Sequence, residues 1–141
     1  MASPAEVAGS LLGSGIVGGA TGWSLKVGFL PESPDKIICM MDTGGENPNP
    51  RWQVDFVTVQ AIVRGDVNGY GAAWTKAREV RDKLLGLDSQ TMVGSNDRWV
   101  SVICRGDVMT LGSDTKNRPL LSVNFRIIIE PAATEPNREP L

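Results

Sequence analysis

Histidine is absent from the 141-residue sequence. This absence excludes Ser-His and Cys-His nucleophilic catalysis, because both mechanisms need an imidazole base. It also excludes most catalytic zinc sites, in which at least one ligand is usually a histidine. An enzyme built on this chain would therefore have to use carboxylates, lysine, tyrosine or cysteine.

A strong excess of charge and a long apolar run are also missing. The chain has 14 Lys and Arg residues against 16 Asp and Glu residues, with no block of basic residues, so it carries no footprint for nucleic-acid binding. Glycines interrupt the N-terminal apolar stretch, which also lacks a basic leader. We therefore expect neither a membrane span, which needs about 18 apolar residues, nor a signal peptide.

Cysteine is scarce. Cys39 and Cys104 each lie inside an apolar run, and their spacing does not match any metal-ligand pattern. The pattern predicts two buried thiols in a reducing compartment. A disulfide between adjacent strands is the alternative that the sequence leaves open.

The length of the chain predicts one domain with a single modest core. Residues 131–141 differ from the rest, because they contain three prolines and almost nothing that could be buried. We therefore expect one domain over residues 1–130 and a flexible, Pro-rich tail over residues 131–141.

Apolar periodicity predicts a short helix that starts at Pro4, with Ser3 as its cap, and a long amphipathic helix from Tyr70 to Leu85 with Trp74 in the core. The predicted strands cover residues 23–30, 36–41, 52–64, 99–104, 107–111 and 119–130. The strand at 107–111 is expected to pair across a turn at Arg105-Gly106. This order predicts an α+β fold: a mostly antiparallel mixed sheet, with the long helix and the short N-terminal helix packed on one face.

Two short motifs match known signatures but not their structural context. Residues 13–18, Gly-Ser-Gly-Ile-Val-Gly, match the dinucleotide-binding fingerprint, yet a predicted helix precedes them where a strand is needed. Arg64-Gly65-Asp66 and Arg105-Gly106-Asp107 repeat a triplet of cell-adhesion ligands, but each follows a predicted strand. We interpret these motifs as a flexible connection and two turns, and we expect no cofactor.

Asp42-Thr43-Gly44 follows an apolar strand, as the catalytic triplet does in retroviral-type aspartic proteases, where two close carboxylates share a proton. Those proteases continue with Ala or Ser, whereas this chain continues with Gly45-Glu46. They also need a late apolar-apolar-Gly segment, and the nearest one, Leu84-Leu85-Gly86, ends the predicted helix. The triplet therefore indicates a β-turn, and a dimeric protease acting through Asp42 is the less favoured alternative.

Several motifs follow one another along the chain in a fixed order. They are a Pro-x-Ser-Pro-Asp segment, an apolar strand ending in Asp-Thr-Gly-Gly, a strand of Gln-Val-x-Val-Arg type, a Tyr-x-x-Ala helix start and a closing Arg-x-x-x-Ser-Val-Asn-Phe strand. In this sequence they lie at Pro31–Asp35, Ile37–Gly45, Val59–Arg64, Tyr70–Ala73 and Arg118–Phe125. The set resembles the tail terminator, or minor capsid (tail-completion), family of long-tailed bacteriophages. Ala61 and Gly71 depart from the pattern without affecting the expected fold.

The resemblance implies a structural virion protein of the tail or neck, made in the host cytoplasm, and no enzymatic activity. Such a protein caps the tail tube, ends tail elongation and provides the head-joining surface as a ring, expected to have six subunits. The implied partners are further copies of the chain, the tail tube protein and the head-tail connector or neck protein. DNA can pass through the lumen without recognition of its sequence, and no membrane partner is expected. A head-completion or neck connector protein of the same virion is the open alternative.

A ring of this kind closes through heterologous contacts, so each subunit needs two different side surfaces and two axial surfaces. Loops are the natural places for such contacts, and Trp52, which follows Arg51 at a loop–strand junction, is either an interface anchor or a core residue. The candidate assembly residues are Asp42, Thr43, Gly44, Gly45, Arg51, Trp52, Arg105, Asp107, Asp114, Lys116 and Arg118.

Overall fold

A computed structural model describes residues 3–47, 54–87, 91–93 and 97–131. Within these ranges the chain forms two helices, α1 (Pro4–Leu12) and α2 (Tyr70–Leu85), and the strands β1 (Ser24–Val27), β2 (Ile37–Gly45), β3 (Asp55–Arg64), β4 (Thr91–Met92), β5 (Arg98–Cys104), β6 (Met109–Ser113) and β7 (Pro119–Glu130). The predicted tail begins at the last described residue, so it stays a prediction. In the described ranges, neither helix is long and apolar enough to span a bilayer.

All strands belong to one mixed sheet, in the order β1-β2-β3-β7-β5-β4, with β6 also paired to β7. The β1–β2 pair is parallel, and every other pair is antiparallel. The predicted α+β class and the mostly antiparallel mixed sheet are therefore confirmed. The long strands β3 and β7 are hydrogen-bonded along their whole length at the centre of the sheet.

One face of the sheet carries the core. Alternate side chains of β3 and β7 point to this face, as the predicted period of two requires, and they pack against both helices. The members of this layer from β3 and β7 are Val59, Ala61, Val63, Leu121, Val123, Phe125, Ile127 and Ile129, all fully or almost fully buried. The opposite face of the sheet has no helix over it in the described part of the chain, and it carries the polar positions of the same strands.

The long helix has the predicted bounds, but its buried face differs from the predicted stripe. Ala73, Ala77, Val80 and Leu84 are buried, together with Lys76. Tyr70 and Trp74 are 48% and 36% exposed, so the prediction that Trp74 lies in the core was wrong. Small alanines face the sheet and allow close packing, which leaves the bulky rings at the margin of the helix.

Lys76 is buried because each of its polar contacts is satisfied. Its Nζ donates to the Ile16 carbonyl oxygen at 3.0 Å and pairs with Glu79 at 2.7 Å. The same ammonium lies 5.6 Å from the centre of the Trp23 ring. Lys76 therefore holds the glycine-rich connection between α1 and β1 against the long helix.

The strand β6 pairs with β7, and the predicted pairing with the preceding strand was wrong. A hairpin would reverse the chain at Arg105, but the backbone N–H of Arg105 donates to the Asn124 carbonyl oxygen at 2.8 Å. The chain therefore continues along the same edge of β7. The twelve residues of β7 are enough to pair with β5 through residues 125–130 and with β6 through residues 119–122.

The two cysteines are free thiols, so the disulfide alternative was wrong. Cys39 lies in β2 and Cys104 in β5, with β3 and β7 between them. Cys39 is fully buried, and its Sγ lies 3.1 Å from the Phe29 carbonyl oxygen, whereas Cys104 is half-buried. Burial raises the pKa of both thiols.

The strand β2 continues through Asp-Thr-Gly-Gly, where the sequence predicts a turn. Thr43 is an extra residue in the ladder with β3, so the segment is a β-bulge inside a strand. Gly45 follows with φ +144, and a Cβ atom there would lie 2.2 Å from the Phe56 carbonyl oxygen. Only glycine fits at this position.

We expect Gly45→Ala to lower the free energy of unfolding by about 1–3 kcal/mol, because it adds backbone strain and a clash with a neighbouring strand. Gly15→Ala is the matched control, since a Cβ atom there meets nothing within 4 Å. Urea denaturation of the two variants and the parent protein measures the difference. Equal stability of both variants would contradict the described bulge.

Candidate assembly surfaces

The first candidate surface lies at the end of the sheet where β3 ends and β7 begins. The side chains of Arg64 and Arg118, only 2% and 3% exposed, both reach the loop between β1 and β2. Arg64 donates to the carbonyl oxygens of Pro34 and Asp35 at 2.6 and 3.1 Å. Arg118 donates to the Glu32 carbonyl oxygen at 2.6 Å and to the Asp35 carboxylate at 2.9 Å. We call this set of contacts the arginine clamp.

The turn between β6 and β7 joins the clamp. Asp114 accepts from Arg118 Nε at 2.8 Å, and it also accepts the backbone N–H groups of Lys116 and Arg118. Lys116 is 57% exposed and pairs with the Glu32 carboxylate at 2.7 Å. The structure thus brings together the predicted residues Asp114, Lys116 and Arg118. The ammonium of Lys116 faces solvent, whereas the guanidinium of Arg118 is enclosed.

The second candidate surface is the uncovered face of the sheet. Thr43, Thr58, Arg105, Gly106 and Asn124 line a cavity of about 650 Å³ that is open to solvent. Thr43 Oγ1 donates to Thr58 Oγ1 at 2.7 Å. Within the described residues, the guanidinium of Arg105 has no carboxylate within 4 Å. This floor of hydroxyl and amide groups beside a free cation can accept acidic or polar side chains from a partner.

A second cavity, of about 300 Å³, adjoins the first and shares Thr43, Thr58 and Arg105 with it. Its further lining comes from Gly45, Glu46, Phe56 and Arg126. Arg126 pairs with Glu46 at 2.6 Å, and its guanidinium carbon lies 5.1 Å from the centre of the Phe56 ring. The predicted residues Thr43 and Gly45 therefore lie on one continuous surface with Arg105, which is far from them in sequence.

Asp107 serves a different contact. Its carboxylate pairs with Arg81 of α2 at 2.8 Å and accepts the backbone N–H of Val108 at 2.7 Å. The Arg81 guanidinium lowers the pKa of this carboxyl below its ordinary value, and the Val108 hydrogen bond adds to the effect. Asp107 thus fixes the link between β5 and β6 to the long helix.

Asp42 supports the first helix. Its Oδ1 accepts the backbone N–H of Ala5 at 2.9 Å, and Ser3 Oγ accepts that of Glu6 at 3.1 Å, as its predicted role as a cap requires. The first turn of a helix has N–H groups without helical partners, and these two oxygens satisfy two of them. The Asp42 carboxylate holds α1 on the sheet. This geometry does not support a role in which Asp42 activates the attacking water of a protease.

Of the remaining predicted residues, Gly44 lies in the bulge with φ +94. Arg51 and Trp52 lie outside the described residues, so their roles as contacts stay predictions. Asn124 and Arg126 of β7 were missed. Both are polar residues at alternate positions of an otherwise apolar strand. Because alternate side chains of a strand point to opposite faces, this pattern could have shown that they lie on the face away from the core.

We expect Asp42→Ala to cost about 1 kcal/mol of unfolding free energy, because it removes an acceptor for the first turn of α1. Asp42→Asn keeps an oxygen at the same place and is expected to be nearly silent. Chemical denaturation of both variants measures this. A peptidase activity that the parent protein has and Asp42→Asn lacks would instead support the protease alternative.

A second prediction concerns the arginine clamp at low pH. The Arg118 backbone N–H lowers the pKa of Asp114 below its ordinary value of 3.8, and the Arg118 guanidinium acts in the same direction. Because the folded pKa is depressed, the ionised carboxylate stabilises the fold above the unfolded pKa, and this stabilisation disappears as the pH falls through the folded pKa.

We therefore expect Asp114→Asn to be less stable than the parent protein at about pH 7 and to approach it at about pH 3. Thermal denaturation across this pH range measures the difference. Asp66→Asn is the control, since the Asp66 carboxylate has no ion-pair partner in the described part of the chain. A deficit of Asp114→Asn that is independent of pH would show that its charge is not the cause.

The family model described as "Bacteriophage tail terminator protein" matches residues 13–131. A search of curated proteins gives no significant match. Since the matched region covers most of the 141 residues, the chain belongs to the bacteriophage tail terminator family.

Proposed function

We propose that this protein caps the tail tube of a long-tailed phage, ends tail elongation and provides the surface that joins the head, acting as a ring of subunits. The observation that carries the proposal is the tail terminator match over residues 13–131. That family is structural, and it implies a component of the virion tail. The expected ring has six subunits.

The positions of the candidate loops support a role between two partners. The strand β2 runs from Ile37, beside the arginine clamp, to Gly45, beside the polar cavities. These nine residues span roughly 26 Å at about 3.3 Å per residue. The turn at residues 114–118 and the Gly45-Glu46 end of β2 therefore lie at opposite ends of the sheet. One end is available to the tail tube protein and the other to the head-tail connector.

The two ends carry exposed ion pairs in different surroundings. The clamp end presents Lys116 and the carboxylate of Glu32, which are exposed and paired with each other. The other end presents Glu46 and Arg126 beside the open cavities that Arg105 also lines. Two unlike polar ends suit a protein that must distinguish tube from head, because charge arrangement gives specificity more readily than raw affinity. DNA that passes through the ring needs no sequence-specific contact in this scheme.

Disruption of the gene in the parent phage tests the proposal. We expect electron micrographs of the resulting lysate to show overlong tails or tails without heads, because nothing then ends the growth of the tube. Supply of the intact gene from a plasmid is the control and is expected to restore virions with tails of normal length.

Other outcomes of this experiment would redirect the proposal. Tails of normal length that do not join heads would identify a neck connector of the same virion. Empty capsids with unprocessed proteins would favour the protease alternative through Asp42. Ordinary infectious virions would overturn the terminator role.

A further inference from the structure

The uncovered face of the sheet carries two exposed apolar side chains beside β7. Ile103 of β5 is 47% exposed, and Met109 of β6 is 51% exposed. Their partners on β7 are Arg126 and Ser122, which belong to the alternate positions that point away from the core. Because paired residues of neighbouring strands point to the same side, Ile103 and Met109 both lie on the face of the open cavities.

Arg105 lies between these two side chains and brings a positive charge to the same face. It lines the larger cavity, and its guanidinium has no carboxylate within 4 Å in the part of the chain that the structure describes. The carboxylates nearest to it in the fold are already paired. Glu46 pairs with Arg126 on the same face, and Asp107 pairs with Arg81 of the helix α2. A cation between two apolar side chains suits an extended segment that carries a carboxylate between apolar residues.

A segment with this pattern follows β7 directly. Residues 132–141 read Ala-Ala-Thr-Glu-Pro-Asn-Arg-Glu-Pro-Leu and lie outside the described residues. Two acids, Glu135 and Glu139, stand against one base, Arg138, and each acid is followed by a proline. Pro131, the last described residue, follows the strand whose alternate side chains form the uncovered face. The segment therefore starts beside the surface that its composition matches.

The length of the segment determines which acid can reach Arg105. Arg105 lies level with Asn124, seven residues before the last described one, or roughly 24 Å back along β7 at about 3.4 Å per residue. A Pro-rich segment extends about 3.1 Å per residue, so it carries Glu139 as far as about 25 Å and Glu135 only about 12 Å. The long side chains of arginine and glutamate make up for the length used in reversing direction. Glu139 can therefore meet Arg105, whereas Glu135 cannot.

The apolar residues of the segment match the levels of the exposed side chains. On the same scale Pro136 extends to about 16 Å, and Ile103 lies roughly 17 Å back along β7. Leu141 extends to about 31 Å, and Met109 lies roughly 31 Å back. One pass of the segment over the face therefore brings an apolar residue, a carboxylate and a second apolar residue to matching places.

We infer that residues 132–141 fold back over the uncovered face of their own copy, with Glu139 against Arg105 and Leu141 beside Met109. The same copy is favoured because a short linker gives a local concentration in the millimolar range. An acidic partner must then displace this segment before its side chains enter the cavities. The contact lies within one copy, so the inference goes beyond the proposed function and does not rest on it.

Disulfide trapping in the purified full chain tests the contact. The test variant carries Met109→Cys and Leu141→Cys, and its control carries Thr110→Cys and Leu141→Cys. Thr110 is also exposed, but it pairs with the core position Leu121 and points to the opposite face. We expect the test variant to form its internal disulfide at least about tenfold faster than the control, because only its two thiols share a face. Peptide mapping separates this link from links through Cys39 or Cys104, which both variants contain.

Charge exchange tests the register of the segment. Adding Arg105→Glu to the test variant is expected to slow trapping at least about tenfold, because Glu139 then meets a like charge. Adding Glu139→Arg as well is expected to restore the rate, because the two charges are then exchanged. Glu135→Arg is the matched control, since it makes the same change in net charge at a position that does not reach residue 105.

Three outcomes would overturn the inference. The first is equal trapping in the test variant and the Thr110→Cys control. The second is equal rescue by Glu135→Arg and Glu139→Arg, which would leave net charge as the cause. The third is a linked dimer that forms from a mixture of the single variants Met109→Cys and Leu141→Cys as fast as the internal link, because the segment would then lie on a neighbouring copy.

The result is separable from that of the gene disruption. An internal link together with ordinary virions from the disrupted gene would leave this contact standing and remove the terminator role. Overlong tails from the disrupted gene without an internal link would leave the terminator role standing and remove this contact.

Discussion

The arrangement of this subunit depends on two buried guanidinium groups at one end of the sheet. Parallel strands are usually joined by a crossover of a dozen or more residues, yet β1 and β2 are joined by only nine, residues 28–36. A connection this short has no room for a helix that would satisfy its carbonyl groups. Arg64 and Arg118 supply the missing donors, because each reaches backbone oxygens of this loop. The position of β1 at the edge of the sheet follows from these contacts.

The same contacts bring together sequence motifs that lie far apart along the chain. The segment Pro31–Asp35, Arg64 at the end of β3 and Arg118 just before β7 are separated by tens of positions, yet they meet in the arginine clamp. A carbonyl oxygen can be presented by any residue, whereas the guanidinium must come from arginine, since only its fork of donors reaches several oxygens at once. The pattern in the sequence therefore reflects one three-dimensional contact.

Much of the scaffold could be predicted, because β3, β7 and α2 have strong periodicity and each buries one face. The contacts that define the candidate surfaces could not. Asp42 meets Ala5, 37 residues away, and nothing in the local sequence distinguishes a carboxylate that caps a helix from one that catalyses hydrolysis. The pairing of β6 depended on whether the chain reversed after Arg105, which a backbone hydrogen bond to a distant strand decides. The prediction for Trp74 was wrong because periodicity shows which side of a helix is buried but not how wide the buried stripe is.

The direction of the central strands has a mechanical consequence. The strands β2, β3 and β7 run between the two polar ends, and β3 and β7 are bonded along their full length. A pull applied between these ends acts along the strands, so the hydrogen bonds of each ladder resist it together as a shear load. A force across the strands would break the same bonds one after another. The subunit is thus stiff along the axis that joins its two ends, as the proposed position between two assemblies would require.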